Sequence, residues 1–277
     1  MPTTPPHPLR LSRGRAVGHV CGFWIGYLVI LWAFGIAKGW LPPRFGPLAW
    51  GGASAVGLLG LTVWLLRREG RTVDAVGLRW SVGSIGRFAA GLVLGTAVYA
   101  IVLLVISLLA GPLAMTRAPA PAATAILTAV AATLALATME EIGFRAYPLW
   151  TLARSFGIWW GQLLVAAAFA LVHVLYGWSM SAVVLGVFPS ALLFGAVAVA
   201  TRGIAAPTGV HVALNLCQWL MGEKGGPAVW HIGVRGASEP VAAALAPWIG
   251  CVVLTLSAIG VTLWWGWRGK RTRRAPL

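Results

Sequence analysis

Eight stretches of this chain stay apolar over about the length of a bilayer crossing, and no other feature constrains its fold as tightly. They cover 17–37, 47–66, 87–110, 122–143, 160–178, 181–201, 204–221 and 241–266. A hydrocarbon core about 30 Å thick takes about 20 helical residues to span, and a helix satisfies its own backbone N–H and C=O groups where water cannot. The expected fold is all-α, a polytopic membrane helical bundle of about eight transmembrane helices. Composition agrees: 59% of residues are hydrophobic and 10% charged, whereas soluble domains carry about 25% charged residues. The first run is longer than the roughly 7–15 residues of a signal-peptide core, so it reads as a retained span. Three segments follow: a basic tail 1–16, a single membrane domain 17–266 and a basic tail 267–277.

The net charge of +15 would suggest nucleic acid in a soluble chain, but here the cations gather at the ends of apolar runs, so no nucleic-acid partner is expected. Eight spans place both termini and alternate loops on one side. Sixteen Lys and Arg residues fall on that side and five on the other, which predicts cytoplasmic termini. Cys21, Cys217 and Cys251 all lie in apolar runs and read as small hydrophobes.

Only six residues are acidic. Glu69, Asp74, Glu223 and Glu239 fall in predicted loops and call for no special account. Glu140 and Glu141 do, because they stand together in Ala-Thr-Met-Glu-Glu-Ile-Gly-Phe-Arg (137–145) after an apolar run. A charged side chain at the bilayer centre costs about 2.5–3.5 kcal/mol on insertion scales and marks a bundle interior or a wet cavity. Residues four apart share a helix face, so Glu141 can pair with Arg145 while Glu140 points about 100° away, free to act as base or ligand. Further on, Phe169-Ala-Leu-Val-His173 carries a lone intramembrane histidine, and His211-Val-Ala-Leu-Asn215 sets an imidazole and an amide on one face. If the turn between the fourth and fifth runs centres near Phe156, Glu140 and His173 stand level in an antiparallel hairpin. His7, His19 and His231 receive no role.

Taken together, Glu140-Glu141-x-x-x-Arg145, Phe169-x-x-x-His173 and His211-x-x-x-Asn215, in that order on successive helices, resemble the three signature motifs of the CPBP family. That family holds the type II CAAX prenyl endopeptidases and the bacterial Abi, or bacteriocin-immunity, proteins. The resemblance covers about residues 122–221; Ala146 stands where many members have Gly. It implies an intramembrane endopeptidase acting on a membrane-associated protein or peptide; the predicted cytoplasmic turn at Arg202, where the helix carrying His211 and Asn215 begins, opens the site toward the cytoplasm. Amide hydrolysis needs an activated water and donors aimed at the oxyanion. Glu140 is the candidate base, His173 a holder of the water, and His211 and Asn215 donors to the tetrahedral oxygen; Glu141, Arg145 and Phe169 support the site.

The same side chains permit a zinc site of Glu140, His173 and His211 with one open position. The absence of His-Glu-x-x-His, and an asparagine that suits an oxyanion better than zinc, favour a glutamate-based mechanism without cofactor. A non-catalytic immunity or assembly protein using the same cluster to bind a partner is the principal alternative. A transporter would need polar residues along a whole crossing path.

Overall fold

The computed structural model describes residues 12–225, 227–235 and 238–274. Helices α1 (Arg13–Lys38) and α2 (Gly46–Arg68) form a hairpin; a 3-10 turn (Val73–Val76) leads to α3 (Val82–Ala110) and strand β1 (Leu113–Arg117). Then come α4 (Ala123–Arg145), α5 (Tyr147–Phe156) and α6 (Ile158–Leu175). The single turn α7 (Met180–Ala182) continues through a π-helical turn (Val183–Val187) into α8 (Phe188–Thr201), followed by α9 (Ala205–Leu220), strand β2 (Trp230–Val234) and α10 (Glu239–Arg274).

Among the described residues, seven rods are long and apolar enough to cross a membrane: α1, α2, α3, α4 with α5, α6, α7 with α8, and α10. This is a multi-pass, all-α membrane bundle. The predicted run 204–221 becomes α9, whose 16 residues cover about 24 Å at the helical rise; it lies along α3, and the β1–β2 pair joins the segments that follow the two helices. Both predicted tails are partly helical: α1 begins at Arg13 and α10 runs on to Arg274, while 1–11 and 275–277 lie outside the described residues. The β1–β2 pair, antiparallel with Leu113 opposite Val234, was not expected from the sequence.

Proline decides two of the breaks. Pro148 sits in the first turn of α5; a continuous helix would drive its ring into the carbonyl of Phe144, so α4 stops at Arg145 and α5 leaves in a new direction. Pro189 has no N–H to donate, and the π-helical turn immediately before α8 takes up the mismatch. The α5–α6 corner is Gly157 at φ +88°, a left-handed conformation that costs glycine least.

Packing in lipid gains from close backbone approach rather than from the hydrophobic effect. Gly91-Leu-Val-Leu-Gly95 on α3 supplies it: a Cβ on Gly91 would stand 2.1 Å from the Ala206 carbonyl oxygen, and one on Gly209 2.2 Å from that of Phe88. Around these contacts the bundle has two apolar cores. One joins α1, α2, α4, α5 and α6; the other joins α3, α9 and α10; α8 contributes to both. Outward faces carry exposed apolar side chains such as Trp32, Leu108 and Leu263, as a lipid-facing surface requires.

At one end of the first core, Glu69 accepts from Arg71 Nη1 at 2.8 Å and from Tyr147, and lies 2.9 Å from His19 Nδ1; Arg71 also donates to Thr151. This polar clamp ties α1 and the end of α2 to α5. Glu69 and His19 thus have structural roles that their predicted positions, in a loop and at a span's edge, did not suggest.

Candidate active site

Because Pro148 ends α4, Glu140, Glu141 and Arg145 occupy that helix's last turns, enclosed by α6, α8 and α9. Glu141 and Arg145 are wholly buried and ion-paired, Nη1 to Oε1 at 3.4 Å. Taking both charges out of water demands compensation from further partners. Arg145 Nη2 donates to the Ala191 carbonyl on α8 at 3.2 Å. Its guanidinium plane lies 4.5 Å from the ring centroid of Phe169 and 5.3 Å from that of Phe194, where cation–π attraction strengthens as water is excluded.

His211 on α9 stacks on Phe194 at 4.5 Å, with 17° between the planes. That orientation sets its two nitrogens between the two glutamates: Nδ1 is 3.0 Å from Glu141 Oε1, and Nε2 is 3.5 Å from Glu140 Oε2. A neutral imidazole carries one N–H. Donated along the shorter contact to Glu141, it leaves the Nε2 lone pair facing Glu140. Arg145 anchors Glu141, Glu141 orients His211, and His211 faces the less buried Glu140.

The hairpin expected to set Glu140 and His173 level contains an additional short helix, α5, between α4 and α6. His173 Nδ1 lies 2.9 Å from the Phe169 carbonyl oxygen; only donation satisfies that contact, so Nε2 is left as the free acceptor. Its ring packs on Phe169 at 4.6 Å, and Phe169 in turn meets His211 at 6.3 Å. Phe169 thus touches both histidines.

Asn215 stands one turn beyond His211, and its Oδ1 accepts from Lys224 Nζ, leaving its NH₂ as donor. The turn after α9 that carries Lys224 folds over the site, held also by Tyr99 donating to Glu223 at 2.6 Å. Burial pushes the Lys224 ammonium below its ordinary value, with the charges of Glu140 and Glu223 acting in the opposite direction. Burial likewise raises the Glu223 carboxyl against the pull of Tyr99 and Lys224. Tyr27 of α1 and Tyr176 just past α6 also lie within the field of Glu140. Nothing in the sequence marks Lys224 or Tyr27 as neighbours of Glu140: the first depends on a loop reversal, the second on Gly143, whose missing side chain admits the Tyr27 ring.

The zinc alternative requires Glu140, His173 and His211 to converge as one ligand set. Among the described residues no group of three His, Cys, Asp or Glu side chains could hold a metal ion.

The comparison with known families bears on the same segment. Residues 122–217 match the sequence model described as type II CAAX prenyl endopeptidase Rce1-like. This segment is similar to the Rce1-like family. The Rce1-like stretch begins with α4 and ends inside α9, so it holds Glu140, Glu141, Arg145, Phe169, His173, His211 and Asn215 and excludes Tyr27 and Lys224. No curated protein matches the chain.

Proposed function

We propose that the protein is an intramembrane endopeptidase in which Glu140 activates water for attack on a peptide bond of a membrane-associated, CAAX-like protein or peptide. The observation that carries this reading is the chain Arg145–Glu141–His211–Glu140, which ends in two acceptors, Glu140 Oε2 and His211 Nε2, 3.5 Å apart. One water can donate to both, which holds it and directs its lone pair at a carbonyl. Glu140 takes the proton as the oxygen attacks and returns it to the departing amine. The Asn215 NH₂, with its carbonyl end held by Lys224, serves as the oxyanion donor. His211 therefore acts with Glu140 on the water instead of donating to the oxyanion, and His173, held through Nδ1 by the Phe169 carbonyl, presents Nε2.

This mechanism draws on Glu140 and His211 alone to activate the water and calls for no zinc. The test compares membrane-protein termini and released peptides between cells expressing wild type and Glu140→Gln at matched levels. Peptides present with wild type and absent with the variant are expected, along with activity that survives exhaustive chelation of the purified protein. Unchanged termini throughout would favour the non-catalytic partner-binding alternative. Loss of activity on chelation, restored by zinc alone, would overturn the glutamate-only mechanism.

A further inference from the structure

A cavity of about 1040 Å³ opens where α3 begins and the α8–α9 turn falls. Three guanidiniums line it, those of Arg79, Arg87 and Arg202, against one carboxylate, Asp74. Asp74 pairs with Arg79 at 3.6 Å, and both are exposed. Arg87 is held by Ser81 and Ser84 hydroxyls at 3.1 and 3.0 Å. Arg202 has no acidic partner among the described residues, and at φ +52° it is the one non-glycine there with positive φ. Such a conformation is uncommon for a side-chain-bearing residue and worth a functional account.

The rest of the cavity is largely apolar. α3 and α4 each pack on α9 but share no packed face with one another, so a crevice between them opens sideways toward lipid. Ile85 and Leu134 line it and are themselves exposed. The cavity therefore has cations at the membrane surface and an apolar slot descending beside them, the polarity of a phospholipid lying in that leaflet. Free phosphate would use the arginines alone and leave the slot without purpose.

We propose that this cavity binds an anionic phospholipid, its phosphodiester held by Arg79, Arg87 and Arg202 and an acyl chain lying between α3 and α4. Thr138 and Thr208 also line it, each three residues before a member of the candidate site, Glu141 and His211. The lipid thus stands beside that site, but its binding does not depend on peptide hydrolysis.

The full chain is reconstituted in nanodiscs of equal phosphatidylglycerol and phosphatidylcholine, extracted in mild detergent and weighed by native mass spectrometry. Wild type retains phosphatidylglycerol over phosphatidylcholine. Each surface arginine is worth about fivefold in anionic-lipid affinity, so combined Arg79→Gln, Arg87→Gln and Arg202→Gln abolishes the preference. The equal charge loss of Arg15→Gln, Arg67→Gln and Arg68→Gln retains it. Leu134→Trp, which fills the slot without changing charge, lowers retention, and Arg202→Gln alone gives a partial loss if the triple variant does not fold. Equal retention of the two lipids by wild type, or equal loss in both triple variants, overturns the proposal. Displacement by excess inorganic phosphate, or full retention in Leu134→Trp, would make the ligand a free anion and overturn the lipid assignment. Loss of peptide cleavage in the cavity variant without any lipid preference in wild type would make the occupant a substrate peptide.

Discussion

Arg145 is fully buried, and Glu141, three aromatic rings and one carbonyl oxygen are what replace its water. Removing its charge leaves Glu141 uncompensated, which costs about 3–5 kcal/mol for a broken buried pair. Arg145→Leu should therefore melt well below wild type in detergent. Arg145→Lys should rescue it poorly, because a compact ammonium cannot stack between Phe169 and Phe194. At Asn215 the expected loss is kinetic: Asn215→Ala lowers kcat about 10²–10³-fold, as for a missing oxyanion donor, with melting nearly unchanged. Glu69 gives a pH signature. Burial alone would raise its carboxyl, but Tyr147, Arg71 and His19 outweigh it and hold it below the ordinary 4.5. A carboxyl depressed in the folded state adds stability that is fully present above its ordinary value and lost as pH falls through the folded one. Melting measured against pH should thus drop more steeply below 4.5 in wild type than in Glu69→Gln.

Among the elements, α3 and α9 make the tightest junction. Gly91→Leu places a side chain where even a Cβ would meet the Ala206 carbonyl, and overpacking of this kind costs about 1–3 kcal/mol or more. The variant should be recovered in lower yield and melt earlier, whereas the same change at Gly60, where a Cβ meets nothing within 4 Å, should be tolerated. The Gly91-x-x-x-Gly95 spacing was readable as a close-packing signal, but the partner helix was not. The fate of α4 was partly readable too: Pro148 announces a break, yet the direction in which α5 departs comes from its packing on α1 and α6. The contact of Phe169 with both His173 and His211 likewise comes from how α6 and α9 pack, which spacing along one helix does not state.

For the whole molecule, cytoplasmic termini remain the expectation from sixteen basic residues against five. Cysteine labelling in a variant lacking Cys21, Cys217 and Cys251 should find Cys introduced at 12 and at 154 on one side and Cys introduced at 117 on the other. The opposite pattern would reverse the assignment. Hydropathy by itself determined the all-helical membrane bundle, since apolar length and backbone satisfaction leave a chain like this few other options in lipid. The acidic pair, isolated in apolar surroundings, determined where a site should be sought. Only the tertiary structure decided which nitrogen of His211 meets which glutamate, that Lys224 folds back onto Asn215, and that three loop arginines share a cavity with a lipid-facing slot. Those outcomes depend on crossing angles and loop reversals summed over many weak contacts, and sequence spacing along a single helix carries no information about them.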